Sequence, residues 1–254
     1  MDNMFELCWG LTIIDLSSFS FENVITMKYM FSDCSDLIEI KFNNNTLTKN
    51  LEMMDNMFEG CESLKYLDTK IFKVNKVKNL NYGFSRCHSL KELNLSHFET
   101  ENITELLYTF NECTNLEILD ISHLNASKAL SIERIFYRCE KLKTLIISKF
   151  DARNIVNSAE SFSHCESLTS LDLSFLDFNS LVNSSYMFSN CSSLKYLVLP
   201  NNMSLIKTTK KMFENCHNLT SLNLNFLHSA TKWEKANEMF SNCISLTKIV
   251  FPKL

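Results

Sequence analysis

Cysteine is the residue type in this chain whose number and spacing could support chemistry. Ten of the 254 residues are cysteine, which is enough for several disulfide bonds or metal sites. No two cysteines are separated by only two residues, the spacing that zinc and redox sites commonly use. They recur instead at intervals of 25 to 27 residues, at Cys8, Cys34, Cys61, Cys87, Cys113, Cys139, Cys165, Cys191, Cys216 and Cys243. This regular interval indicates that each cysteine occupies the same position in a repeated unit.

The repeated position predicts the state of the thiols. If the segments that carry them are helices packed side by side, about 8 to 10 Å apart, neighbouring Cα atoms lie beyond the roughly 7 Å that a disulfide can span. We therefore predict ten free, buried thiols that act as small apolar side chains. A thiol-based redox or metal-binding protein is the alternative, and it requires accessible cysteines.

Histidine and hydroxyl groups give no catalytic arrangement. His97 and His123 share a position in successive repeats and are expected to stand close together, but two ligands without a third do not make a metal site. No Ser/His/Asp or Cys/His arrangement can be assembled, because the cysteines are assigned to the core, and the chain has only 3 Gly for a phosphate-binding loop. We predict no enzyme activity, no catalytic residue, no cofactor and no metal.

The repeat extends beyond cysteine. Each cysteine follows a phenylalanine by three residues and precedes a leucine by three, as in Phe110, Cys113 and Leu116. Self-similarity at a period in the twenties is typical of a solenoid. Because no linker interrupts the repeat, residues 1–254 are predicted to form one solenoid domain. Both ends are expected to be uncapped, which leaves end-to-end self-association as an open alternative.

One repeat contains a strand, a bend and a helical pattern. Leu93-Asn94-Leu95 alternates apolar and polar residues, which is typical of a short strand with one buried face. In the second copy, Met27, Met30, Phe31 and Cys34 fall on one face of a helix. Strands pair at about 4.8 Å whereas helices need roughly 8 to 10 Å, so the stack is expected to curve, with its sheet on the concave face.

The repeat resembles that of a known family. Residues 16–34 read LSSFSFENVITMKYMFSDC, which resembles the BspA-like leucine-rich repeat pattern LxLSxFxTxNVxxMxxMFxxCxxLxxL. The resemblance implies an α/β leucine-rich-repeat solenoid of about ten repeats of 26 residues, curved, with a parallel sheet on the concave face and short helices on the convex face. It also implies a non-catalytic surface protein of bacteria or protists that binds host or matrix proteins and acts in adhesion.

Composition and the amino terminus bear on partners and location. A net charge of −4 and a pI near 5.9 lack the basic footprint of a nucleic-acid binder, and no stretch reaches the roughly 18 apolar residues of a membrane span. We predict that the chain neither binds nucleic acid nor inserts directly into a membrane. The family resemblance implies the cell surface or extracellular space, whereas the absence of a recognisable secretory signal at Met1 and the many reducible thiols favour the cytoplasm. The rival hypothesis is therefore an intracellular structural scaffold or regulatory leucine-rich-repeat protein.

The outward residues of the strands are the candidate protein-binding surface. Exposed aromatic and aliphatic residues bordered by charge are what protein interfaces favour. The hypothesised ligand is a basic and apolar polypeptide, and the alternative is that these residues are only the solvated side of the strands. The predicted site residues are Asp15, Glu39, Lys41, Tyr66, Asp68, Glu92, Asn94, Ile118, Asp120, Ile146, Asp172, Tyr196 and Val198.

Overall fold

The fold is a solenoid with one short strand in nearly every repeat. The computed structural model describes residues 1–43, 46–148 and 150–252. We call each repeat a coil and number the coils from the amino terminus, so the first contains Cys8 and the tenth Cys243. A 3₁₀-helix, Asn225–His228, lies in the ninth coil. The strands in the described residues are β1 Ile13–Leu16, β2 Glu39–Phe42, β3 Glu92–Asn94, β4 Ile118–Asp120, β5 Thr144–Ile146, β6 Ser170–Asp172, β7 Tyr196–Val198, β8 Ser221–Asn223 and β9 Lys248–Val250.

Neighbouring strands pair in parallel, with equivalent residues of successive coils opposite each other. Ile118 of β4 lies opposite Glu92 of β3 on one side and Thr144 of β5 on the other. The hydrogen-bonded groups are β1–β2, β3–β4–β5, β6–β7 and β8–β9. The middle residue of each strand points inward, as buried Leu119 shows. The prediction of parallel strands with one buried face is confirmed.

Phenylalanine forms a continuous stack inside the solenoid. Ring centroids of the phenylalanines three residues before the cysteines lie 5.2 to 5.8 Å apart from one coil to the next. Most successive rings are nearly parallel, for example Phe84 and Phe110 at 6°. Offset stacking of this kind adds to the free energy gained by burying the rings. Equivalent core residues of successive coils therefore lie directly above one another.

The predicted short helices are not found in the described residues. The segment that holds Phe31 is a series of turns, and its backbone N–H groups donate to the following coil. Tyr29 N–H bonds to the Asp55 carbonyl at 3.1 Å and Phe31 N–H to the Met57 carbonyl at 3.0 Å, whereas a helix would direct them four residues back along the chain. Two residues per coil take the left-handed conformation, such as Tyr29 with φ 54°. Apolar residues at helical spacing still face inward because these turns return the chain to the same side.

The loss of the helices removes the physical argument for a strong curve. That argument needed wide helix spacing on one side, but backbone hydrogen bonds join the coils on both sides. Isolated parallel bridges such as Asn79 to Glu105 lie at the start of the turn segments. We therefore call the two outer surfaces the strand face, formed by outward side chains of the strands and the equivalent third-coil segment, and the turn face, formed by outward side chains of the turn segments. The curvature of the stack stays a prediction.

Candidate functional site: a groove on the strand face

The thirteen predicted binding residues all lie on the strand face, and all but two of them are exposed. The exceptions, Asp68 and Asp120, are half-buried. The structure gathers more than half of the thirteen into one shallow groove of about 550 Å³ across coils three to six. These groove residues are Tyr66, Asp68, Glu92, Asn94, Ile118, Asp120 and Ile146.

The other predicted residues lie outside this groove. Asp15, Glu39 and Lys41 belong to the first two coils, whereas Asp172, Tyr196 and Val198 belong to the seventh and eighth. Val198 lines a second depression of about 300 Å³, and Tyr196 lines a third of about 440 Å³. The predicted surface is thus divided, and the groove around coils three to six contains its largest cluster.

Acidic and amide side chains at the strand ends have a structural role that the sequence reasoning missed. Asp68 Oδ1 accepts a hydrogen bond from the Lys70 backbone N–H at 3.1 Å. Asp120 Oδ1 accepts one from the Ser122 N–H at 2.9 Å. The same bond recurs at Asp15, Asn94, Asp172 and Asn223. The Asp/Asn-x-Ser pattern after several strands was the available signal.

These turn hydrogen bonds also affect ionisation. The hydrogen bonds that Asp172 accepts from Ser174 lower the pKa of the Asp172 carboxyl, and burial opposes this only weakly. The pKa of Asp15 is lowered by the equivalent bonds from Ser17, with a smaller contribution from Lys41. Asp15 and Asp172 are therefore charged and held in one orientation at neutral pH.

Three apolar side chains project into the groove. The exposed fractions are 63% for Tyr66, 45% for Ile118 and 41% for Ile146. Large apolar side chains in the equivalent inward rows are almost fully buried. A partly exposed aromatic and two isoleucines beside carboxylates match the composition of protein interfaces.

The groove carboxylates lack the ion pairs that several carboxylates outside the strand face form. Elsewhere, glutamates pair with lysines one coil further on, as in Glu52 with Lys78 at 2.9 Å and Glu117 with Lys143 at 2.7 Å. Within the described part of the chain, Asp68, Glu92 and Asp120 have no cationic group within 4 Å. Their charge is open to a ligand.

Histidine contributes to the groove wall. His97 lines the groove, and its Nε2 lies 3.0 Å from the Thr69 backbone carbonyl. The ring packs edge-on against Phe98. Over residues 1–43, 46–148 and 150–252, no group of three or more His, Cys, Asp or Glu side chains is arranged to hold a metal ion. The environment of His97 is that of a residue fixing the bend after the strand.

The cysteines are free thiols, but two parts of the prediction need correction. Cys8 is exposed and Cys243 is only partly buried, so eight of the ten are buried. The predicted reason for the absence of disulfides was also wrong, because hydrogen-bonded coils bring neighbouring Cα atoms to about the spacing of paired strands. Disulfides are disfavoured because equivalent side chains point in parallel directions and do not converge.

Each thiol from Cys34 onward has a hydrogen-bond partner that was not predicted. The Sγ–H of Cys113 donates to the Phe84 backbone carbonyl of the preceding coil at 3.0 Å, and the same bond recurs from Cys34 to Cys243. Burial raises the pKa of Cys113 to about 12 and that of Cys34 to about 11. These thiols are therefore neutral structural donors and not nucleophiles.

Comparison with solved structures gave distant matches. A leucine-rich cell surface protein from Faecalibacterium prausnitzii matches with 14% identity and a TM-score of 0.39, over 95% of this chain and 88% of that one. A leucine-rich repeat protein from Bacteroides ovatus matches with 18% identity and a TM-score of 0.36, over 95% and 88%. The chain in a TLR13–ssRNA13 complex matches with 20% identity and a TM-score of 0.36, over 95% of this chain and 40% of that one.

A search for membrane-spanning helices and two further comparisons complete the description. In the described residues, no helix has the length and apolar character required to cross a bilayer. No curated protein matches the chain. The model of a family described as Mycoplasma protein of unknown function, DUF285, matches at residues 1–117, 52–170 and 104–226. The narrower resemblance to BspA-like repeats stays a prediction. Because the three matches together span residues 1–226 of the 254, the chain belongs to the DUF285 family.

Proposed function

We propose that this chain is a non-catalytic module that binds polypeptides through its strand face, and that it acts in recognition or adhesion at a cell surface. The observation that carries the proposal is the groove, in which exposed apolar side chains lie beside carboxylates without counter-ions. Aromatic anchors next to unpaired charge are the features around which binding energy concentrates in protein interfaces. On the strand face, the exposed apolar side chains and the carboxylates line the same groove.

The rigidity of the groove supports a binding role. Paired strands β3, β4 and β5 form part of its floor, and Asp68 and Asp120 are held by bonds to the backbone. Side chains that are fixed before binding lose little conformational entropy when a ligand arrives. The groove is therefore suited to recognition without rearrangement.

A second candidate function is an intracellular scaffold or regulatory protein. The observation that favours it is the cysteine content, ten free thiols of which Cys8 is exposed, because exposed thiols stay reduced more readily in a reducing compartment. Protease treatment of intact cells that produce the protein separates the two candidates. Digestion of the protein while a cytoplasmic marker survives supports the surface role, and survival of both supports the intracellular role.

The binding proposal is tested by selecting phage-displayed random 12-residue peptides on the immobilised chain. We expect enriched peptides to lose binding to the double variant Tyr66→Ala and Tyr196→Ala. The matched control is Phe175→Ala, which removes a 51% exposed aromatic from outside the strands, and we expect it to bind as the unmodified chain does. If the double variant retains full affinity for every enriched peptide, the strand face is not the binding surface.

A further inference from the structure

We propose that the groove across coils three to six holds an extended polypeptide segment in which a Lys or Arg side chain lies among Asp68, Glu92 and Asp120, next to an apolar side chain. This inference rests on the proposed function, because it specifies the ligand of the same surface. It assigns the ligand's chemical class and its position on the strand face.

Charge is the first step of the argument. Asp68 and Asp120 occupy the same row two coils apart, at roughly twice the 4.8 Å interval of paired strands, and Glu92 lies in the coil between them, two residues earlier along its strand. None has a cation within 4 Å among the described residues, whereas several glutamates outside the strand face do, such as Glu52 and Glu117. Lys70, which also lines the groove, is exposed at its rim and donates its backbone N–H to Asp68. A single cationic side chain extending from a ligand can approach all three carboxylates.

Apolar contact is the second step. Ile118 lies between Glu92 and Thr144 in the sheet, and Ile146 follows one coil later. An apolar side chain of the ligand can cover both isoleucines next to the bound cation. The exposed Tyr66 ring lies at the other end, where its face can contact a guanidinium or ammonium group.

The backbone of the third coil is the third step. Its segment equivalent to β3 is not a strand. Among the described residues, the backbone N–H groups of Tyr66, Leu67 and Asp68 have no hydrogen-bond acceptor. Main-chain donors normally have partners, either protein groups or water, and carbonyl groups of a bound polypeptide can replace water at these amides. This favours a polypeptide over a small cation such as a polyamine, which has no acceptor to offer.

The test uses two charge-removing variants that preserve the turn hydrogen bonds. The groove variant combines Asp68→Asn, Glu92→Gln and Asp120→Asn, because an asparagine oxygen can still accept the backbone bond. The matched control combines Asp36→Asn, Glu62→Gln and Asp177→Asn, which remove the same number of charges outside the groove and outside the strands. Circular dichroism and thermal melts check that both variants fold.

We expect the phage-selected peptides to contain a Lys or Arg adjacent to an apolar residue. The groove variant should weaken their binding at least tenfold, whereas the control should change it less than twofold. Replacing the peptide's Lys or Arg by norleucine should cause the same loss without altering the protein. Binding should also weaken at high salt, because the groove carboxylates are partly exposed.

The failures of the inference and of the proposed function are distinguishable. Peptides that lose binding to the Tyr66→Ala and Tyr196→Ala variant, but bind the groove variant and the unmodified chain equally, overturn the inference and leave the proposed function standing. Enrichment of peptides that contain no Lys or Arg also overturns the inference and leaves the proposed function standing. No enrichment above a blank surface contradicts both, and equal affinity for spermidine and the peptides overturns the polypeptide assignment alone.

Discussion

The structural role of the cysteines from Cys34 onward depends on the hydrogen bond that each thiol donates. The carbonyl of Phe84 accepts both the Cys87 N–H of its own coil and the Cys113 thiol of the next. The thiol therefore joins two coils as well as filling space between them. Sequence spacing located the buried thiols correctly from Cys34 to Cys216. It did not reveal the acceptor, because the acceptor is a backbone atom 29 residues earlier.

Burial of the thiols predicts a loss of stability at alkaline pH. Burial raises the pKa of Cys113 to about 12 and that of Cys34 to about 11 in the folded chain, against an ordinary value of 9.0. Both states hold neutral thiols below about pH 9. Above it the unfolded chain loses protons that the folded chain keeps, so each buried thiol lowers the free energy of unfolding by up to about 1.4 kcal/mol per pH unit, until the folded pKa is reached.

Urea unfolding at pH 7, 8, 9 and 10 measures this effect. We expect nearly constant stability up to pH 8 and a fall above pH 9, with a smaller fall in Cys113→Ala because one titrating thiol is absent. An unchanged pH profile in that variant would show that Cys113 does not contribute.

At the scale of elements, the turn segments show why a helix was predicted. Met27, Met30, Phe31 and Cys34 all face inward, as they would on a helix. Two left-handed residues four positions apart, Tyr29 and Asp33, produce the same facing by turns. Left-handed positions are normally marked by glycine, but here they hold mainly other residue types, so the turns could not be recognised from the residue types.

Among the described left-handed residues, Gly60 is a glycine, with φ 68°. A Cβ at this position would clash with Asp33 Oδ1 and lie 3.0 Å from Arg86 Nη2, two atoms that form an ion pair at 2.6 Å. Gly60→Ala should therefore destabilise the chain by about 1 to 3 kcal/mol, from backbone strain and displacement of the pair.

Gly10→Ala is the matched control, because a Cβ at Gly10 would meet nothing within 4 Å. We expect it to change stability by less than about 0.5 kcal/mol. Thermal and urea melts of both variants give the comparison, and equal stability of the two would contradict the turn geometry described here.

Only part of the groove could be predicted from the sequence. Strand periodicity placed Glu92, Ile118 and Ile146 on one outer face correctly. The groove also includes the third coil, where Tyr66–Asp68 departs from the strand pattern. Its sequence, Tyr66-Leu67-Asp68, alternates as the true strands do, so backbone pairing could not be anticipated from it.

The whole molecule is held by contacts between successive coils, as in other solenoids. Phe110 is fully buried between Phe84 and Phe136, whereas Phe240 is only partly buried and stacks on Phe213 alone among the described rings. Phe110→Ala should cost about 3 to 5 kcal/mol. Phe240→Ala should cost less, because fewer contacts are lost. Urea unfolding of both variants measures the difference, and equal costs would contradict a stack with an open last ring.

Recognition by the assembled solenoid is tested most directly by amide hydrogen exchange with mass spectrometry, with and without a selected peptide. The amides of Tyr66, Leu67 and Asp68 have no acceptor among residues 1–43, 46–148 and 150–252, whereas those of β4 belong to a paired strand. We predict fast exchange at Tyr66–Asp68 in the free chain and slow exchange in the complex, with the turn face around Tyr82 unchanged. Protection that appears on the turn face, and not at Tyr66–Asp68, would contradict the groove as the binding site.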